Sequence, residues 1–451
     1  MRLLINSLLA GIVLVLPAAY ILPPTVRAFS WLVVLLVALL LNHRSMFMLL
    51  DVRNSLPRKA WIMMPIYMVL ILILLRLITS AWQYSELGDT QFGVTNSMAL
   101  FLQGIVFLAI FSWLRETSAA TVTLVLAAGF AGYCAINMLG SFLGLENPNA
   151  EIAGTVIGDT SVKRLLPPFA RSVTNFGAYG ALAMAIGVIG FGVAKTSMRL
   201  WRSCGLIVAV LIGATSCWLA QVRFSFVVLL FSLIWLVARL NKIRITLSII
   251  AFVAMLSVPL LCLNLFYSDY IYPYLPNTVV ENISRTNRDS EFLGGRVLIY
   301  NYGFERLLAG EVGWFGEGPI IRDASPAVVG YVDYEVTKGE GLGSGWSYHN
   351  GFMETLVCHG PLITTLVFGS LVSFLLGSRH KLRKTSQIDE CDEITKMLSL
   401  TAGFLGTCFV AGTFEVIFNE TYALYIIVGL LWLSGSKMTQ SLQDAEMISR
   451  K

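Results

Sequence analysis

The segment from Tyr348 to Gly360, YHNGFMETLVCHG, sets a histidine beside an asparagine at the start of a helix-compatible stretch. An imidazole takes up and releases protons, and a titratable group at a water–lipid boundary is a default candidate for chemistry. Glu354 follows Asn350 by one helical turn and shares its face. Gly360-Pro361 then breaks the stretch, and an apolar run long enough to enter a bilayer follows. The alternative reading of His349-Asn350 is a capping pair at the mouth of that helix.

Arginine is the second residue type with chemistry to offer. Arg164, Arg171, Arg285, Arg288 and Arg296 lie in hydrophilic segments, and Arg223 lies in a tight turn between two apolar runs. A guanidinium is a planar, permanently charged fork that matches phosphate and carboxylate oxygens in pairs. An unpaired charge at the depth of Arg223 costs about 3 kcal/mol even on a lenient insertion scale. Arg223 therefore faces an anion in a cavity or a structural partner such as Glu415 or Glu420.

Membrane helices must position these groups. The chain has 451 residues, 56% hydrophobic and 13% charged, where a soluble domain carries about 25% charged residues. Apolar runs fall at 3–22, 26–42, 61–79, 97–114, 118–143, 174–194, 204–221, 224–238, 245–266, 360–378, 397–414 and 420–436. They predict an all-α polytopic membrane protein with about twelve transmembrane helices. Nine of them lie in 1–266, a large outer loop domain occupies 267–351, three more helices lie in 352–437, and 438–451 is a tail. The first run reads as a retained helix, since Pro17-Ala18-Ala19 makes a poor cleavage site.

Charge placement supports this topology. Most Lys and Arg residues fall at the two ends and in the loops around 44–59, 115, 195–202, 239–244 and 379–396, which puts both termini in the cytoplasm. The short outer loops 80–96 and 415–420 contain none. The net charge of +5 thus reports orientation and gives no reason to expect nucleic acid. The remaining basic residues concentrate in three outer segments: 144–173, the turn at 223, and 267–351. Positive charge there runs against the insertion bias, and an anionic ligand would account for it. Loop salt bridges with Asp159, Asp269, Glu281, Asp289 and Glu291 are the alternative.

The long loop opens with Tyr267, Tyr270, Tyr272 and Tyr274, which suit an interfacial belt or stacking on sugar rings. Gly295-Arg296 then starts an amphipathic helix, RVLIYNYGFERLL, with Val297, Tyr300, Phe304, Leu307 and Leu308 on one face. Gly316-Glu317-Gly318 ends that unit. Another outer segment carries Lys163-Arg164, Arg171 and Asn175-Phe176-Gly177, where Asn175 is either functional or a helix cap. Cysteine and histidine spacing offers no disulfide framework and no metal site.

The ordered set resembles the O-antigen ligase and Wzy-type polysaccharide polymerase family of the bacterial inner membrane. The matching features are Arg164 before Asn175-Phe176-Gly177, Arg223 in a tight outer turn, Gly295-Arg296 leading to Gly316-Glu317-Gly318, and His349-Asn350 with Gly360 beyond. The family usually has Ser ahead of the turn arginine, where this chain has Gln221-Val222. The resemblance implies a GT-C-like fold and a glycan donor on undecaprenyl pyrophosphate. The acceptor would be a second lipid-linked glycan in a polymerase or the lipid A core in a ligase.

On that reading His349 is the general base, and Arg223 and Arg296 stabilise the leaving pyrophosphate without metal or cofactor. Arg164, Arg171, Asn175, Arg285, Arg288, Asn350 and Glu354 bind substrate. Further partners would be membrane lipids and a chain-length regulator protein. The long aromatic loop and the Gln221-Val222 departure favour the polymerase. A lipid-linked oligosaccharide flippase is the rival class, suited by Arg76 within the third helix but lacking the paired half-repeats common in transporters. A metal-dependent GT-C enzyme would show acidic residues in the first outer turn, and Pro23–Thr25 has none.

Overall fold

The computed structural model describes residues 25–26, 28–36, 60–86, 88, 90–147, 167–170, 173–193, 200–220, 222, 224–238, 244–261, 296–318, 348–385, 392–415, 417–419 and 421–449. Among them there are helices and no strands. A helical stretch at 28–36 precedes α1 (Ala60–Glu86), α2 (Thr90–Leu114) and α3 (Ala119–Phe142). Then come α4 (Val173–Val193), α5 (Leu200–Ala220), α6 (Phe224–Ala238) and α7 (Arg244–Leu261). The short α8 (Arg296–Leu308) precedes α9 (Gly351–Thr385), α10 (Asp392–Gly412), a 3-10 turn (Ile417–Asn419) and α11 (Thr421–Ser449).

Among the described residues, eight helices are long and apolar enough to cross a membrane, the signature of a multi-pass membrane protein. Two more helices, α6 and α7, carry shorter apolar stretches among the described residues, Phe224–Ala238 and Thr246–Val258. Every run expected from 61–79 onward has a helix. The run at 26–42 is represented by 28–36, and the run at 3–22 lies outside the described residues.

Helices α4, α10 and α11 form the centre, with their apolar stretches almost wholly buried. Around them α3, α5 and α6 pack on α4, α7 and α9 pack on α10, and α1 and α2 pack on α11. Close approach of backbones holds α4 to α5. A Cβ on Gly213 would lie 2.5 Å from the Gly180 carbonyl oxygen, and one on Gly180 would lie 2.9 Å from that of Gly213. Small residues serve this purpose in lipid, where apolar side chains gain nothing by leaving one apolar phase for another.

Charged groups close the helix ends opposite His349. Lys437 donates to the carbonyls of Arg115 (3.3 Å) and Thr117 (2.8 Å) just past α2. The Glu393 carboxylate accepts the Ala119 N–H at the start of α3. Each charge complements the partial charge of the helix end it meets.

Helix α8 bears out the amphipathic pattern with one correction. Tyr300 is buried and Phe304 and Leu307 pack inward, but Leu308 is 87% exposed. The inward face centres on Gly303, where a Cβ would meet the Tyr348 ring at 2.6 Å. Leu308 lies a further ~100° round the helix from Leu307 and so turns away.

Gly213→Val is expected to destabilise the α4–α5 contact by about 1–3 kcal/mol. Gly369→Ala, where an added Cβ meets nothing within 4 Å, is expected to be neutral or stabilising. Thermal unfolding of the two variants in detergent checks the contrast.

Candidate functional site

The residues around His349 come from four elements at one end of the bundle. Asn350 is the N-cap of α9. Its Oδ1 accepts the N–H groups of Phe352 and Met353, both at 3.0 Å. Its Nδ2 donates to the carbonyls of Met255 in α7 (3.3 Å) and Thr413 after α10 (3.2 Å). The side chain is fully buried and its hydrogen-bonding capacity is filled by the protein. The capping reading describes Asn350, whose amide atoms are all engaged by the protein.

Glu354 is also turned to the backbone. It is buried, and its Oε2 accepts the Tyr348 N–H at 2.7 Å. The Tyr348 ring packs over Gly303, and burial pushes its phenol well above the ordinary range. Tyr300 donates its hydroxyl to the His349 carbonyl at 3.1 Å. The main chain of 348–350 is therefore held from α7, α8, α9 and the turn after α10.

Within that frame His349 has φ 49°, the only positive φ of a non-glycine residue among the described residues. Such a conformation costs on the order of 1–3 kcal/mol and persists only where its surroundings impose it. The imidazole stays 24% exposed, and its Nδ1 lies 3.7 Å from Oε2 of Glu415, whose side chain is nearly buried. That is an ion-pair distance rather than a formed hydrogen bond. The arrangement can accept a proton on the open side of the ring and stabilise the resulting charge from behind.

Glu415 thus sets a carboxylate at ion-pair distance from the imidazole, while Glu354 accepts the Tyr348 N–H. The sequence suggested Glu415 only as a structural partner for Arg223. Its visible signal was an acid in a short outer turn between two apolar helices.

The Gly-x-Gly turn after α8 is fixed to α9 at its break. Pro361 has no N–H, and Gly360 adopts φ 76°, so the helix cannot bond the carbonyls of Val357 and Cys358 in the usual way. Glu317 N–H donates to Val357 (3.0 Å) and Gly318 N–H to Cys358 (2.9 Å). A Cβ on Gly316 would lie 2.4 Å from the Cys358 carbonyl, and one on Gly360 would lie 2.1 Å from the Trp314 oxygen. Glycine is required at both contacts.

Arg306 binds the same turn. It donates to Glu311 (3.1 Å) and to both carboxylate oxygens of Glu317, one at 3.0 Å. Of the basic residues in the outer loop, this one therefore follows the salt-bridge reading.

Asn175 is the third residue of α4, inside the helix as described. Its Oδ1 accepts the Tyr133 hydroxyl at 3.0 Å. Tyr133 stacks on Tyr179 (4.1 Å), which meets Tyr422 (4.5 Å) in the first turn of α11. Asn175 thus ends a buried aromatic column at the same end of the bundle as His349.

Arg164, Arg171, Arg223, Arg285 and Arg288 lie outside the described residues. Arg296 is described only as the first residue of α8, one turn before Tyr300. Among the described residues no group of three His, Cys, Asp or Glu is arranged to hold a metal ion.

No protein-family model and no curated protein matches the chain.

Asn350→Asp is expected to destabilise the protein at least as much as Asn350→Ala, by about 1–3 kcal/mol. The aspartate keeps the cap but sets a charge against the two carbonyls that the amide serves. Unfolding midpoints of both variants check this; an unchanged midpoint for Asn350→Asp would remove the tie to α7 and α10.

Proposed function

We propose that this protein is a GT-C-like glycosyltransferase of the bacterial inner membrane, with both termini cytoplasmic and its site facing the periplasm. It polymerises oligosaccharide repeat units carried on undecaprenyl pyrophosphate, in the manner of the O-antigen polymerases and ligases it resembles. The observation that carries the reading is a half-open imidazole backed by a nearly buried carboxylate, on a backbone locked in a strained conformation. Strain retained at one polar residue points to function rather than packing.

In the proposed step Nδ1 of His349 faces Glu415, and Nε2 receives the proton of the acceptor sugar hydroxyl. The hydroxyl oxygen forms the new bond to the donor's anomeric carbon. The bond from that carbon to the pyrophosphate oxygen breaks, and the electron pair leaves with the lipid pyrophosphate. Glu415 stabilises the imidazolium while the charge exists.

Arg223 and Arg296 would meet the charge growing on the leaving group, with Arg164, Arg171, Arg285 and Arg288 contributing to donor binding. Their assignment rests on the sequence pattern. The place of Arg296, one turn before the tyrosine that bonds the His349 carbonyl, suits it.

His349→Ala is expected to lower transfer by on the order of 10²–10⁴-fold at normal membrane levels, with Glu415→Gln showing a smaller loss. Glycan-length analysis of strains expressing each variant measures it, and normal long chains with well-expressed His349→Ala would refute the base assignment. A deletion strain tests the acceptor. Single repeats on the core identify a polymerase, whereas long lipid-linked polymer accumulating off the core identifies a ligase.

A further inference from the structure

Three helices carry exposed aromatic residues near the end of the bundle that holds His349. Trp82 lies near the end of α1, Phe142 ends α3, and Trp218 lies near the end of α5. Aromatic rings at one level of a membrane protein mark the boundary between headgroups and acyl chains, where an amphipathic ring has one apolar and one wet neighbour.

The turn after α8 lies in that same layer. Gln83, the residue after Trp82, donates to the Glu317 carbonyl at 2.6 Å. A Cβ on Gly318 would come within 2.5 Å of the Gln83 side chain. On the other side the turn is bonded to Val357 and Cys358 of α9, more than a turn into a membrane-crossing helix. The segment 313–318 is therefore pinned between α1 and α9 at belt depth. At its tip Trp314 is 72% exposed and Phe315 is 67% exposed.

We infer that Trp314 and Phe315 are seated in the headgroup–acyl boundary of the leaflet on the His349 side, covered by membrane lipid. The helix that anchors the turn through Gln83 carries an exposed apolar stripe, Leu74, Ile78 and Trp82, that lipid must cover, and this identifies the occupant. The lipid contact fixes the height of α8 and hence of Tyr300 against the His349 carbonyl. The inference stands whether or not the protein transfers a glycan.

Site-directed spin labelling of the full chain tests it, in vesicles of phosphatidylethanolamine and phosphatidylglycerol. Trp314→Cys and Phe315→Cys are made in a Cys204→Ser parent, and the signal of that parent is subtracted. Trp82→Cys and Ile78→Cys serve as references in the belt and one turn deeper, and Glu116→Cys serves as the water reference. The expected result is an oxygen-over-nickel-chelate collision ratio at 314 and 315 well above that at 116. It should match that at 82 to within one helical turn of depth, ~5 Å. A ratio equal to the water reference overturns the inference. So does low access to both reagents, which would show that protein covers the turn. Two labelled positions keep the test decisive if one variant fails to fold.

Discussion

Two carbonyls about two turns into a membrane helix organise this structure. Pro361 withholds the N–H that would bond Val357, and the conformation of Gly360 turns the chain away from the position that would bond Cys358. Val357 and Cys358 are fully buried, and a carbonyl left unmet there would cost about 1–3 kcal/mol. The N–H groups of Glu317 and Gly318 meet them. The turn is thereby joined to α9 by main-chain bonds of the kind that hold a sheet, and it draws α8 down onto the first turns of α9. The small cluster of Tyr300, Val312, Tyr348, Met353, Val357 and Cys358 fills the space between.

The ion pair above this junction has the same purpose. Arg306 is mostly buried and engages both oxygens of Glu317, while the backbone of Glu317 is already committed to α9 and to Gln83. A buried pair of this kind adds little net stability over an apolar substitute, yet losing one partner strands the other charge. Its geometric demand is what counts here: α8, α1 and α9 must all be in register for the carboxylate to be met.

Parts of this were legible in the sequence for definite reasons. The apolar runs, the break at Gly360-Pro361 and the α8 helix follow from length, hydropathy and period, which are local. Asn350 as a cap was also legible, since asparagine ahead of a helix has a strong positional preference. The partner of His349 was not, because Glu415 reaches it from the turn after α10, distant in sequence, and no local pattern links the two. Arg306 looked like any other outer cation, since its pairing depends on a turn whose course is dictated by α9. Glu354 shares a helical face with Asn350 as spacing required, and the curl of the chain before α9 brings the Tyr348 N–H to its carboxylate, which no local pattern announces.

The left-handed residue ahead of α9 has one more consequence. Tyr348 and Asn350 are both turned into the protein, and between them the ring of His349 alone reaches the surface. The main chain aims that ring, and side-chain torsion only refines it. Glycine would relax the backbone here at no steric cost while removing the imidazole. Durability and whatever the ring does are thus set against each other at a single position. A lineage selected for rigidity alone would have abandoned histidine there.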